Sequence, residues 1–380
     1  MHARIVRCVS SLQEALRPRL RRRRIQGAWP YQMLSASTIF AKHVSIHPHR
    51  LQNLACPLQI LPTDAVPVKE RLQQNDPVTA PAAGLTICEN VLLDPAHGLH
   101  TVAGRSLGQV YCDLNAFDAL HRLLSLLRLA RSRATSRLPR GIWLGDPYLK
   151  NYYHWLIEIA PRLALLDRQD DLHDWPILLP ESAPRFIHDG LAALGLDDRI
   201  MLLPPRRYRV DEMILLDCLS LGGEPNVREE ATFWRERLGL ATSPWPDTRS
   251  GKRLFLVRPQ DTKRAFINET AIRDALADLD LSFVQPEEWS WHEQIERFQQ
   301  ASVVIAAHGA GLANIAFLRP GAQVIEIADP PSVHPCYSVL ARHLGCPTTF
   351  ILGRSCGQTI DVDPALIRSA LLNDQSIAPS

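Results

Sequence analysis

The sequence predicts an α/β protein of two doubly wound domains facing each other across a cleft, and three observations carry that prediction. The chain has 380 residues, 46% of them hydrophobic and 22% charged, which is a globular balance. At roughly 150 residues per domain, that length has room for two domains. From residue 141 onward, short apolar runs alternate with stretches of helical periodicity, the pattern of parallel strands joined by crossover helices. A stretch rich in Pro, Ser and Gly at 241–251 (ATSPWPDTRSG) then splits the alternation into two sets, each large enough for one sheet.

Taken in order, residues 1–84 show no clean periodicity and are cut by prolines, so a basic leader followed by irregular chain laid over the first domain is expected. The first domain spans 85–240. It opens with strands at 85–94 and 99–114 separated by Gly turns, and leucines at helical spacing mark a helix at 117–131. GIWLG at 141–145 is a strand, a helix begins near 151, and a strand at 176–179 leads to a helix at 184–194. Strands at 200–203 and 213–216 and a helix at 227–240 complete it; the alternation predicts a parallel sheet with helices on both faces. Beyond the 241–251 linker, the second domain, 252–380, alternates more regularly. Strands at 254–257, 282–284, 303–306, 323–327 and 348–352 are separated by helices at 269–279, 291–300, 312–317 and 337–344, with a last helix at 364–372. Five strands in about 100 residues make a sheet of nucleotide-binding size.

Charge and cysteine content exclude several classes of function. Residues 1–24 carry eight arginines against one acid, Glu14, so the rest of the chain is mildly acidic. A nucleic-acid binder places its basic stripe on the folded body, so nucleic acid is not an expected partner. The run RPRLRRRR, opened by Arg17 and closed by Arg24, suits either a solvated tail or an anionic membrane surface, where each cation contributes about 1 kcal/mol. No apolar segment follows the basic start and the longest apolar stretch, 302–318, is broken by His308, so neither a secretory signal nor a span is expected. A cytoplasmic protein, at most peripheral to the inner face of a membrane, is the expectation. The eight cysteines form no CxxC and no paired Cys/His spacing, and the HxxxHxH of His43, His47 and His49 has no nearby carboxylate, so no metal site is expected.

Ligands of open α/β sheets bind outside the carboxyl ends of the strands, so candidate residues are sought in the loop after each strand. After the strand at 303–306 comes His308-Gly309-Ala310-Gly311-Leu312-Ala313-Asn314, whose small residues leave backbone N–H groups accessible to phosphate at a helix start. Turn geometry alone explains such glycines equally well. The neighbours tip the balance: Arg258 and Arg264 come after the first strand of the second domain and suit the two phosphates of a diphosphate, with Asn268 and Glu269 capping the next helix. Glu326 ends a strand at the same edge, where it reads either as an acceptor for ribose hydroxyls or as a structural cap. In the first domain, Asp146 leaves a strand and leads to Asn151-Tyr152-Tyr153-His154-Trp155-Leu156-Ile157-Glu158. On a helix His154 and Glu158 share one face, which makes them a general-base pair or, on the plainer reading, a satisfied core histidine.

Three blocks, NYYHWLIEIAPRLALL, LFLVRPQDTKRAFINE and HGAGLANIAFLRPGAQVIEI, resemble glycosyltransferase family 61, and the resemblance covers about residues 85–355. It implies a GT-B architecture of two Rossmann-like domains and inverting, metal-independent transfer from a nucleotide-diphospho-sugar, with no cofactor. The partners implied are that donor and a glycan or lipid-linked acceptor. The resemblance also implies roles for Arg258, Arg264, Asn268 and Glu269, which match the family's arginine pair followed by Asn-Glu, and for His154 with Glu158, which match its His and acid. The arginine-rich leader departs from the anchored animal members and looks bacterial, and 37 arginines against 5 lysines fit a GC-rich genome; the resemblance to the family's bacterial members implies a role in capsular or surface polysaccharide biosynthesis. Donor-side candidates are therefore Arg258, Arg264, Asn268, Glu269, His308, Gly309, Ala310, Gly311, Asn314 and Glu326; the base is sought among His154, Glu158 and Asp146.

Rival readings fare worse. Gly104-Arg105-Ser106-Leu107-Gly108 fits GxSxG, but a hydrolase's oxyanion loop precedes its nucleophile, and here HGAG comes some two hundred residues later. No GxGxxG follows a first strand, which counts against a dinucleotide oxidoreductase. A non-catalytic sugar- or partner-binding protein that keeps the fold is the alternative from another class, and turnover of a donor discriminates the two.

Overall fold

The computed structural model describes residues 83–101, 133–167, 169–220, 228–245 and 250–373, together with 41–47, 50–52, 56, 58–61, 72 and 78–80. The basic run at 17–24, the helix expected at 117–131, the GxSxG segment, most of the strand expected at 99–114 and part of the linker lie outside these residues.

In the first part of the chain the strands are β1 (Ala41–His47), β2 (Arg50–Gln52), β3 (Leu58–Leu61), β4 (Val78–Ala80), β5 (Ala83–Asp94), β6 (Leu99–Thr101), β7 (Ser136–Trp143), β8 (Ile177–Pro180), β9 (Ile200–Leu203) and β10 (Tyr208–Leu216). Helices α1 (Arg185–Ala193) and α2 (Arg228–Arg237) accompany them. The first sheet runs β1-β5-β10-β7-β8-β9. Strands β10, β7, β8 and β9 are parallel, as their crossover connections require. The rest corrects the expectation of a parallel sheet: β5 pairs antiparallel with β10, and β1 antiparallel with β5. These strands arrive from the N-terminal arm and not through a crossover helix, so nothing in the connection imposes a parallel direction.

After residue 250 come β11 (Lys252–Leu256), β12 (Ser282–Val284), β13 (Ala301–Ala307), β14 (Gln323–Ala328), β15 (Thr348–Leu352), β16 (Arg354–Cys356) and β17 (Thr359–Asp361). Between and after them lie α3 (Glu269–Ala275), α4 (Trp291–Gln299), α5 (Cys336–His343) and α6 (Pro364–Asn373). The second sheet, β12-β11-β13-β14-β15-β3, is parallel throughout. Every residue of β13 (ASVVIAA) and β14 (QVIEIA) is buried, as expected of strands covered on both faces. Helix α4 starts at a capping box: the Ser290 hydroxyl accepts from the Glu293 N–H, and the Glu293 carboxylate accepts from the Ser290 N–H. Strand β3 is unforeseen. It comes from the stretch expected to be irregular chain over the first domain, yet it extends the second sheet at the β15 edge, held by the pairing of residues 348–351 with 58–61 and by Arg342 Nε donating to the Cys56 carbonyl at 2.5 Å.

The helical stretch after β7 also departs from expectation. Residues His154–Ile159 form a π turn and Ala160–Leu166 a 3-10 helix, where an α-helix was expected. Pro161 has no N–H to give to a carbonyl one turn back, so the ladder shifts, and the Ala160 N–H bonds to the Trp155 carbonyl. Carbonyls left over by the shift are taken by side chains. Trp234 Nε1 of α2 donates to Leu156 O at 2.7 Å, and Arg162 Nε donates to Glu158 O at 2.9 Å. One apolar core runs between the two sheets: Trp155, Leu156 and Ile157 from this turn join Trp234 of α2, Trp291 and Phe298 of α4, and Phe317. Trp234 meets Trp291 edge-on with ring centroids 5.2 Å apart. Among the described residues no helix is long and apolar enough to cross a membrane.

Candidate active site

The second sheet contains a topological switch point. The chain leaves β11 for β12 on one side and returns to β13 on the other, so the loops after β11 and β13 diverge and open a crevice at the carboxyl edge. Arg258 leaves β11, and His308 and Gly309 leave β13. The Arg258 guanidinium spans the crevice, with Nη1 donating to Lys263 O at 3.0 Å and Nη2 to His308 O at 3.3 Å. Gly309 is required here, because a Cβ at that position would stand 1.9 Å from Arg258 Nη2, and its φ of 153° is one that L side chains rarely adopt. Arg264 is held in the left-handed region (φ 66°), its N–H donating to Gln358 O at 2.6 Å. A non-glycine residue in that conformation costs on the order of 1 kcal/mol, which the surrounding β-bridge between Phe266 and Ile360 sustains. Burial, and then the neighbouring Arg264, draw the pKa of Arg258 below the usual guanidinium value.

These loops line a cleft of about 840 Å³ that also takes its walls from the first part of the chain. Arg258, Arg264, Ala310 and Gly311 lie on one side, Tyr152, Phe186 and Asp189 on another, and Pro286 to Trp291 close the end over β12. The floor is tied across the two sheets, because Tyr152 Oη donates to Asn314 Oδ1 at 2.6 Å and Asn314 Nδ2 donates to Gln294 Oε1 at 2.8 Å. Ala310–Phe317 is a 3-10 helix, not the α-helix expected at 312–317, and its small residues let that floor approach closely.

The first sheet has its own switch point at β7, which β8 and β10 flank. Asp146, just beyond β7, is buried, accepts from the Tyr148 N–H at 2.8 Å and lies 3.6 Å from Arg162 Nη2. The π turn carries His154, whose Nδ1 hydrogen-bonds Glu158 Oε2, and the imidazole stacks on Tyr148 with centroids 4.8 Å apart. Glu158 is 2% exposed while the His154 side chain is 15% exposed, so the imidazole is the member of the pair that meets solvent. Burial pushes Glu230, which sits near Glu158 and accepts from Ser220, far above the usual carboxylate range, so it is neutral.

A second histidine–carboxylate pair lies opposite. His308 Nδ1 is 2.5 Å from Glu326 Oε1, and Glu326 is fully buried. The two pairs meet through aromatic rings: Tyr153 touches His154 and Tyr337 edge-on, with centroids 5.6 and 5.2 Å apart, and Tyr337 touches His308 at 5.0 Å. Neither imidazole forms part of the cleft wall; both stand beside it, flanking the Tyr153–Tyr337 contact.

The structure thus brings together Arg258, Arg264, His308 to Gly311 and Asn314 at one switch point, and joins His154 to His308 through the ring contacts of Tyr153 and Tyr337. It does not bring Asn268 or Glu269 into the cleft. Asn268 donates to Val362 O at 2.7 Å and makes no side-chain cap, contrary to expectation, while Glu269 pairs with Arg273 at 2.7 Å; both brace the arginine loop from outside. Glu326 lies beneath His308 and, being fully buried, presents no oxygen to a ribose. Tyr153 and Tyr337 escaped the sequence reading. Tyr153 sits within the same block as His154, but nothing local to Tyr337 marks it. The glycosyltransferase 61 family model matches residues 152–325, a span that includes His154, both arginines and the loop after β13. No curated protein matches the chain.

Proposed function

We propose, from the match of residues 152–325 to the glycosyltransferase 61 family model, that this chain is a member of that family and moves a sugar from a nucleotide-diphospho-sugar to a hydroxyl of a glycan or glycolipid acceptor, inverting the anomeric centre without a metal ion. The two sheets read as the paired Rossmann-like halves of a GT-B enzyme, and surface polysaccharide biosynthesis is the setting that suits such an acceptor. The observation that carries the reading is the cationic switch point, where Arg258, Arg264, Ala310 and Gly311 line one crevice and the His154–Glu158 pair stands beside it, reached through Tyr153 and Tyr337.

In this mechanism the diphosphate lies against Arg258 and Arg264, and the transferred sugar extends toward the Tyr153–Tyr337 contact between the two imidazoles. Glu158 accepts from His154 Nδ1, which leaves Nε2 as the acceptor for the attacking hydroxyl's proton. The acceptor oxygen bonds to the anomeric carbon as the bond to the phosphate oxygen breaks, and the electron pair departs on the diphosphate. Negative charge grows there, so guanidiniums already held in place stabilise the transition state more than the ground state. They supply the charge that a divalent cation supplies elsewhere.

Thermal unfolding of the purified chain against UDP, GDP, CMP, ADP, dTDP and NAD, with and without EDTA, tests the donor site. A ligand at 100 times its dissociation constant adds about 2.7 kcal/mol. One nucleoside diphosphate should raise the midpoint equally in EDTA, and its sugar conjugate should release it when an acceptor is present. A shift that EDTA abolishes would overturn the metal-free part, and binding without turnover would favour the sugar- or partner-binding alternative.

A further inference from the structure

Resting on the donor site proposed above, we infer that His308, beside the crevice, binds the leaving diphosphate as an imidazolium and that Glu326 is the positioning residue that keeps it charged. Glu326 is 0% exposed, and its second oxygen, Oε2, has no hydrogen-bond partner among the described residues. A buried carboxylate in that state is costly unless a cation lies against it. The group hydrogen-bonded to it is His308 Nδ1, at 2.5 Å. An imidazolium there satisfies the carboxylate, and it converts Nε2 from an acceptor into a donor.

Placement decides what that donor meets. His308 is the first residue beyond β13, its backbone carbonyl accepts from Arg258 Nη2, and its side chain is 13% exposed. Charged and titratable groups surround it on each packed element: Glu326 from β14, Tyr337 from α5, Arg258 from the loop after β11, and beyond these Arg264 with Asp329. Burial raises the pKa of the Tyr337 phenol, so it stays neutral. The two arginines oppose a third positive charge and the buried carboxylate underwrites it. The strand pairing fixes this arrangement, since β13 and β14 run parallel with Ala306 opposite Glu326 and Ala307 opposite Ile327, so a residue just past the end of β13 is the one within reach of the carboxylate. No proton changes hands in this role: Nε2–H donates to a phosphate oxygen as charge accumulates on it.

The test is calorimetric titration of the full chain with UDP, GDP, ADP and dTDP at about pH 6 and about pH 8, using the nucleotide that binds the wild type most tightly. Glu326→Gln keeps an acceptor for Nδ1 but removes the counter-charge, and His308→Asn removes the imidazole. A charge-assisted hydrogen bond is worth roughly 1.5–3 kcal/mol, about 10- to 100-fold in affinity. Glu326→Gln should therefore bind at least about tenfold more weakly than wild type near pH 8 and close to it near pH 6, where solution protons restore the imidazolium. His308→Asn should bind at least about tenfold more weakly than wild type at both pH values, and adding Glu326→Gln to it should cost nothing more. Equal affinities of Glu326→Gln and wild type at both pH values, or the same loss at both, would overturn the inference. So would additive losses in the double variant. Should Glu326→Gln fail to fold, His308→Asn decides alone, because an affinity equal to that of the wild type at both pH values overturns it. Absence of nucleotide binding by the wild type is a different failure, since it removes the donor site itself.

Discussion

At the scale of single residues, the His154–Glu158 pair carries the most exposed claim. The imidazole is held on both sides, by the carboxylate at Nδ1 and by the Tyr148 ring, so its orientation is set before any substrate binds. Removing a general base typically lowers turnover by 10²- to 10⁴-fold. His154→Ala should fall in that range while its nucleotide affinity stays within about twofold of wild type, since the diphosphate site proposed above lies at the other switch point. A variant that keeps more than about a tenth of wild-type turnover would transfer the role to another group; Asp146, locked against Arg162 and the Tyr148 N–H, is poorly placed to take it. The two histidine pairs also differ in how they could be read from sequence. His154 and Glu158 are four residues apart, so helical spacing joins them whatever the precise helix type. His308 and Glu326 are eighteen apart and are joined by adjacent parallel strands, which only the sheet order reveals.

At the scale of elements, strands were more legible than helices. β9, β12 and β15 have the bounds the apolar runs predict, because a short apolar run bounded by turn residues marks a strand whether it is covered, as β15 is, or lies at a sheet edge, as β9 and β12 do. The π and 3-10 turns after β7 and β13 were not legible, since their ladders depend on partners remote in sequence. Trp234 is the clearest of these: it lies 78 positions from Leu156, is fully buried, and donates to a carbonyl that an α-helix would have satisfied internally. Trp234→Phe keeps most of the ring contact with Trp291 and Phe317 but leaves that carbonyl without its donor. Stranding a buried polar group costs about 1–3 kcal/mol, so the denaturant midpoint should fall by a corresponding amount with an unchanged slope. An unchanged midpoint would mean that the freed carbonyl finds another donor. The place of β3 was hidden for a related reason: its four residues predict a strand no better than their neighbours do, and what recruits them is the open β15 edge with Arg342 reaching for Cys56.

At the scale of the whole molecule, one apolar core runs from one sheet to the other, so we expect the two parts to unfold together and groups buried around that core to act on one unfolding equilibrium. Burial lowers the pKa of His100 to about 4, and burial with the nearby Arg228 and Arg342 lowers that of His343 to about 4, from an ordinary value of 6.5. As pH falls from about 6.5 to about 4, the unfolded chain gains these two protons before the folded chain does, so each histidine subtracts stability as the solution becomes more acid. Glu230 acts in the opposite sense. Its carboxyl is held well above the ordinary 4.5, so the folded chain keeps a proton that the unfolded chain releases, and its contribution is lost as pH rises above that value. Among the described groups with shifted pKa values, the balance between about pH 4.5 and 6.5 is two protons against one. The net unfolded-state excess of one proton makes stability rise by about 1.4 kcal/mol per pH unit. Asp278, Glu293 and Asp329, all held below their ordinary values, titrate under this window and do not alter its slope. Denaturant unfolding at several pH values should therefore give a positive slope that drops toward zero in His343→Gln and roughly doubles in Glu230→Gln. A slope that Glu230→Gln leaves unchanged would show that this carboxyl ionises in the folded chain, which would place a negative charge beside the His154–Glu158 pair.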